Sequence, residues 1–243
     1  MNLIKFNPVL KVEENLLGTD YVVGDIHGMY SLLMQELNTL NFDKTKDRLF
    51  CVGDLIDRGK ENEKVISLLK EDWFFSVRGN HEQMCIDTTY LSNKYPEVYR
   101  MHAANGGTWF CVKDLNEQED ISKIFLNLPF LIEIKVGKDR IGIIHADAGE
   151  DWHQTKRELS SVTNDQCGSN QTILRSLWSR TRITKKITTN VNNIDHVFLG
   201  HTPVNNVTTL GNCSFIDRGS CSHQMFFTII DIKTYLKNLN ESN

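Results

Sequence analysis

The stretch VRGNHE (77–82) sets an arginine, a carboxamide, an imidazole and a carboxylate around one glycine. Two earlier stretches are built alike, GDIHG (24–28) and GDLIDRG (53–59). Later, His145 in IIHAD (143–147) and His201 in LGHTP (199–203) each follow an apolar run. Carboxylate and carboxamide oxygens with imidazole nitrogens suit Mn²⁺, Fe or Zn²⁺ and need no thiolate. Asp25, His27, Asp54, Asn80, His145 and His201 form a candidate ligand set larger than one tetrahedral zinc takes. The set suits two divalent ions with one carboxylate shared between them. Asp25, Asp54 and a bridging hydroxide cancel only part of the charge of two such ions, so the site favours an anion such as phosphate. Paired ions about 4 Å apart acidify a shared water and hold both ends of an in-line displacement. The remaining polar groups then have roles. Arg58 and Arg78 offer planar forks to phosphate oxygens. His81 can protonate the leaving alkoxide, and Asp57 can hold that imidazole charged and oriented.

Singly, each element is a weak signal. An aspartate after a glycine is usually a turn or capping residue. A lone histidine is more often a satisfied polar group than a ligand, and Asp57 beside Arg58 is ordinarily a solvated pair. Three such loops in series are not explained by turn chemistry.

The loops need elements to aim them. DYVVG (20–24), RLFCVG (48–53) and WFFSV (73–77) read as strands. YSLLMQELNTL (30–40) and ENEKVISLLK (61–70) have helical apolar spacing between them. This alternation predicts parallel strands joined by right-handed crossovers. The carboxyl ends of such strands share one edge, where ligands bind. Residues 82–128 read as mostly helical. FLIEIKV (130–136) and RIGIIH (140–145) read as a hairpin turning at Gly137, Lys138 and Asp139. The polar segment 149–171 reads as a surface excursion, TILRSLW (172–178) as a short helix, and 184–193 as a flexible loop. Strands are expected at 196–200, 206–210, 213–217 and 225–231, and disorder at 237–243. The expected fold class is α/β: a βαβαβ core and a β-rich back half in one sandwich domain over 1–243.

Composition narrows the partners. The 243 residues are 40% hydrophobic and 24% charged, as for a globular chain with a real core. A net charge of −4 argues against a nucleic-acid binder. No apolar run is long enough to span a bilayer. The start, MNLIKFNPVLKVEENLLG, carries acids where a secretory signal needs an apolar stretch. Cys51, Cys85, Cys111, Cys167, Cys213 and Cys221 include no CxxC pair, so reduced thiols in a cytoplasmic protein are expected.

GDIHG, GDLIDRG, RGNHE, a strand-end histidine and GHTP together resemble the signature of the phosphoprotein phosphatase family of serine/threonine phosphatases, above all its short phage and bacterial members. VVGDIHGMYSLLMQELNTLNFD, NGGTWF, HAD, LWSRTRI and FIDRGS extend the similarity over most of the chain. The resemblance implies the sandwich of calcineurin-like metallophosphoesterases and hydrolysis of phosphoserine and phosphothreonine in proteins, with phosphotyrosine or phosphohistidine as possible further substrates. It places Asp25, His27 and Asp54 on one ion and Asp54, Asn80, His145 and His201 on the other, with manganese as activator. It adds Arg180 as a phosphate ligand, which its local sequence does not single out. One departure is Arg218, where short members carry a small polar residue; it could contact substrate or pair with a surface carboxylate. The alternatives are a dinucleoside polyphosphate hydrolase or phosphodiesterase of the same superfamily, and a metal-binding module without turnover. The intact ligand set with His81 and Asp57 weighs against the last.

Overall fold

The structure, a computed structural model, describes residues 6–163, 170–221 and 226–241. The strands are β1 (Val9–Val12), β2 (Asp20–Val23), β3 (Arg48–Cys51), β4 (Phe74–Ser76), β5 (Leu131–Val136), β6 (Asp139–Ile144), β7 (His196–Leu199), β8 (Thr208–Leu210), β9 (Cys213–Phe215) and β10 (Ile229–Asp231). The helices are α1 (Tyr30–Thr39), α2 (Asn62–Ser67), α3 (Asn80–Leu91), α4 (Pro96–His102), α5 (Thr108–Cys111), α6 (Leu115–Leu126), α7 (Trp152–Ser160), α8 (Gln171–Trp178), α9 (Thr181–Thr184) and α10 (Ile232–Glu241).

One sheet runs β10-β2-β3-β4 and the other β1-β5-β6-β7-β9-β8. As the alternation predicted, β2, β3 and β4 are parallel neighbours, and β5 and β6 form the antiparallel hairpin. The two-residue strand period sorts the core into layers. Val22 and Phe50 meet Ile132, Ile134, Ile141, Ile143 and Phe198 between the sheets. Their strand neighbours Val23, Leu49 and Cys51 face the opposite way, onto Leu33, Leu37, Val65 and Cys85 of the helices. Leu131, Ile144 and Val197 face Trp152, Leu159, Ile173 and Leu177 on the far side. The result is two sheets face to face with helices outside both.

Several expectations are corrected. Segment 149–171 holds a helix, α7, whose Trp152, Thr155 and Leu159 are buried. Only this narrow stripe is covered, so its polar composition hid the helix. Trp152 lies against Gly142, where a Cβ would stand 2.4 Å from the indole, and its Nε1 donates to Glu133 Oε2 at 2.6 Å. Residues 164–169 of that segment lie outside the described residues. The expected tail is helical to Glu241; Ser242 and Asn243 are outside the description. The strand expected at 225–231 is limited to Ile229–Asp231, and residues 222–225 are likewise outside. Strand β1, a short VLKV edge, was not anticipated. Cys51, Cys85, Cys111 and Cys213 are buried free thiols and Cys221 is partly exposed; Cys167 falls outside the described residues. Among the described residues no helix is long and apolar enough to cross a membrane.

Candidate active site

Each cluster residue follows the carboxyl end of a strand or opens the helix after it. Asp25 and His27 follow β2, and Asp54, Asp57 and Arg58 follow β3. Asn80 and His81 start α3, His145 follows β6, and His201 follows β7. His27, Asp54, Asp57, Arg58 and His201 adopt φ of 46°, 51°, 72°, 66° and 64°, a left-handed region costly for residues with a Cβ. The surroundings hold them there. The amides of Ile26 and His27 donate to Asp54 O at 3.0 and 2.9 Å, and Gly59 N donates to His27 O at 3.0 Å. Glu82 then ties the second loop to the third, accepting from the amides of Asp54 (3.0 Å), Leu55 (2.8 Å) and Gly79 (2.8 Å). Asn62 fastens the DRG turn by accepting from Asp57 N at 2.8 Å and donating to Gly59 O at 3.0 Å.

Asp54 sits at the centre. Its Oδ2 is 3.8 Å from His27 Nε2, and its Oδ1 is 3.4 Å from His145 Nε2. Two buried groups therefore share it: His27, Asp54 and His81, and Asp54, His145 and His201. Asn80 Oδ1 joins the second, 2.9 Å from His145 Nε2 and 2.8 Å from His201 Nδ1. His27 and His145 direct Nδ1 at the carbonyls of Ile56 and Val52 (2.9 and 2.8 Å), so Nε2 is the atom turned to the cluster. Burial pushes His27 and His201 down to about 3, which keeps these imidazoles unprotonated at neutral pH and fit to bind a cation. Asp25 is placed differently from the other candidates. It lies outside both tight groups, and its two oxygens accept from His201 N at 3.3 and 3.0 Å.

The donor set fits divalent cations on charge as well as type. Burial, then Asp217 and Asp54, push Asp25 well above the usual carboxylate range. Asp217, which the sequence reading passed over, is also buried, and its Oδ2 has no hydrogen-bond partner among the described residues. Excess buried negative charge with an orphaned oxygen is what a pair of cations would relieve.

Beside this cluster, His81 Nδ1 is 2.6 Å from Asp57 Oδ2. Burial opposes charge on both, but each holds the other charged. Asp57 is brought down to about 2 by hydrogen bonds from His102 and His81, and His81 is raised by Asp54 and Asp57. The exposed Arg58 reaches into the mouth, with Nη1 2.8 Å from His27 Nε2 and Nη2 3.2 Å from His81 Nε2. Arg180 meets the second group, its Nε donating to His201 Nε2 at 3.4 Å. Arg218 spreads its guanidinium 4.3 Å over the Phe226 ring.

Arg78 is not a phosphate ligand in this arrangement. Its side chain is fully buried on the helix side, donating to Leu126 O (2.8 Å), Leu128 O (3.5 Å) and Gln83 Oε1 (3.1 Å) and stacking 4.5 Å from the Phe130 ring. It fastens the α6–β5 connection to the start of α3. Arg78→Met is expected to lower unfolding free energy by about 1–3 kcal/mol, the usual cost of stranding a buried acceptor. Denaturant titration checks this, with KM for p-nitrophenyl phosphate unchanged.

Glu82, Asn62, His102 and Trp109 also belong to the site, although the sequence did not give them a role there. Glu82 carried a signal, since a glutamate three residues into a helix often accepts from the capping amide. NGGTWF marked the neighbourhood of Trp109. His102 gave no local sign.

Comparison with known proteins agrees with this geometry. The calcineurin-like phosphoesterase family matches residues 21–205. Serine/threonine-protein phosphatase 2 of Salmonella typhimurium is 34% identical, covering 93% of this chain and 98% of that protein. A symmetrical bis(5'-nucleosyl)-tetraphosphatase of Nitrosospira multiformis is 42% identical over 64 residues, only 26% of this chain. A solved serine/threonine phosphatase from Saccharomyces cerevisiae superposes with TM-score 0.57 at 16% identity, over 87% of this chain and 71% of that one.

Proposed function

This chain belongs to the calcineurin-like phosphoesterase family, and from that premise we propose that it is a protein phosphatase releasing phosphate from phosphoserine and phosphothreonine. The observation that carries the reading is Asp54 turning one oxygen to each of two histidine groups, with a 2.6 Å His81–Asp57 pair beside it. The near full-length likeness to a serine/threonine phosphatase supports the substrate class.

Asp25, His27 and Asp54 would hold one ion, and Asp54, Asn80, His145 and His201 the other; manganese is our choice for both. When bound, the ions supply positive charge for the phosphoryl oxygens and a water acidified enough to attack phosphorus. The chain does the rest. Arg58 and Arg180 each meet one of the two groups and would grip the phosphate oxygens, fixing the ester in line. As the bond from phosphorus to the serine oxygen breaks, His81 gives that oxygen its Nε2 proton. Asp57 keeps the imidazole charged until then. Products are the free hydroxyl and inorganic phosphate. The buried free thiols suit work in a reducing cytoplasm.

The test is turnover after chelation. Stripped enzyme should lose phosphate release from a phosphoserine peptide and regain it with added Mn²⁺. Faster cleavage of diadenosine tetraphosphate than of the peptide would turn the assignment to the nucleotide reading. That reading rests on similarity over a quarter of the chain.

A further inference from the structure

Behind the acid pair lies a second layer that the reaction as described does not use. Asp57 accepts from more than His81. Its Oδ1 takes the indole Nε1–H of Trp109 at 2.7 Å, and its Oδ2 also faces His102 Nε2 at 3.1 Å. His102 is fully buried, and its other nitrogen, Nδ1, is 3.0 Å from Thr88 Oγ1. A hydroxyl there can donate to Nδ1, which leaves the ring proton on Nε2, aimed at Asp57. Both oxygens of Asp57 are thus fixed by groups other than the acid.

The backbone is shaped around this contact. Ala103–Gly107 joins α4 to α5 through a kink at Gly106, whose backbone is not helical. A Cβ on Gly107 would stand 2.0 Å from the His102 ring, so this position leaves room for the imidazole alone. Gly106, at φ 100°, accepts from Arg58 N at 3.3 Å, and a Cβ there would meet Arg58 N at 2.8 Å. The NGGTW stretch therefore braces the acid's carboxylate and the adjoining arginine together. Loose turn chemistry would not require a glycine at each of these two close approaches.

We propose that His102 and Trp109 are positioning residues for general-acid catalysis: they clamp Asp57 so that it presents His81, Nε2 first, to the leaving oxygen. The inference rests on the reading of His81 as the acid. Both would act through Asp57, the group they contact. Their effect is to stop Asp57 from rotating, so the His81 proton stays in line with the breaking bond. A carboxylate held by His81 alone would swing with it.

The experiment uses full-length, Mn²⁺-loaded protein and two esters, phenyl phosphate with its poor leaving group and p-nitrophenyl phosphate with its better one. His102→Leu and Trp109→Phe should each lose about tenfold or more in kcat on phenyl phosphate, within the range of proton-transfer catalysis. They should lose far less on p-nitrophenyl phosphate, with KM and bound metal unchanged. His102→Gln, which can keep a donor on Asp57, should recover most of the loss. Trp109 is only half-buried, so its variant carries the test if His102→Leu does not fold. Equal losses on the two esters overturn the assignment. His81→Asn, assayed beside them, separates the two failures. If it discriminates strongly between the esters and the others do not, only the clamp is lost. If it too fails to discriminate, the acid reading falls and the clamp with it.

Discussion

Asp54→Asn should bind fewer than two divalent ions per chain and lose more activity than any other single substitution at the site. The reason lies in what each carboxylate oxygen faces. Oδ2 looks to His27 and Oδ1 to His145, so both are needed for a shared ligand. An amide replaces one oxygen with an NH₂ group, which has no lone pair to offer and presents positive hydrogens to a cation. It also removes a full negative charge from a buried position. The fold should tolerate the change. Asparagine accepts the left-handed backbone found there (φ 51°) better than most residues. The amide oxygen can still accept from His81 N, which donates to Oδ1 at 3.0 Å. The loss should exceed the ~10²–10⁴-fold expected for removing a general acid. Metal analysis with turnover of a phosphoserine peptide decides it. Full dinuclear occupancy in the variant would show that Asp54 is not the shared ligand.

The sequence was most readable where secondary structure and chemistry repeat in step. Strand, glycine-bearing polar loop and helix recur through the first third, and parallel pairing of β2, β3 and β4 turns that repeat into one loaded edge. Loop chemistry needed no three-dimensional knowledge there, because strand direction alone fixes the edge. Orientation of a single side chain is another matter. Arg58 and Arg78 each precede a glycine in a loop that carries site residues, and nothing local distinguishes them. Arg58 follows a positive-φ residue that turns it to the mouth, next to His27 and His81. Arg78 ends an extended run and goes the other way, between the α6–β5 connection and Phe130.

What stayed hidden depends on contacts distant in sequence. His102 meets Asp57 across 45 residues, and a histidine in a helical stretch offers no sign of its partner. Glu82 and Asp54 are 28 residues apart, joined by a carboxylate capping two loops. Helix α7 failed for a different reason. Most of its surface is solvated, so polar composition outweighed the three covered positions.

His81→Asn isolates proton delivery from everything else at the site. The asparagine would keep the helix start, and its side-chain amide can donate to Asp57 as Nδ1 does now at 2.6 Å. No atom would remain where Nε2 carries its proton. Binding of phosphate by Arg58 and Arg180 should persist, so KM should change little. Turnover on phosphoserine peptide should fall ~10²–10⁴-fold, the usual contribution of a positioned acid. A serine alkoxide is a far worse leaving group than p-nitrophenolate, which departs without a proton. The fall should therefore be much smaller on p-nitrophenyl phosphate. Direction matters more than size here: a defect in metal binding or in folding would depress both substrates alike. An unchanged kcat on the phosphoserine peptide would remove His81 from the role, and the short Asp57 contact would then have to be explained as a purely structural bond.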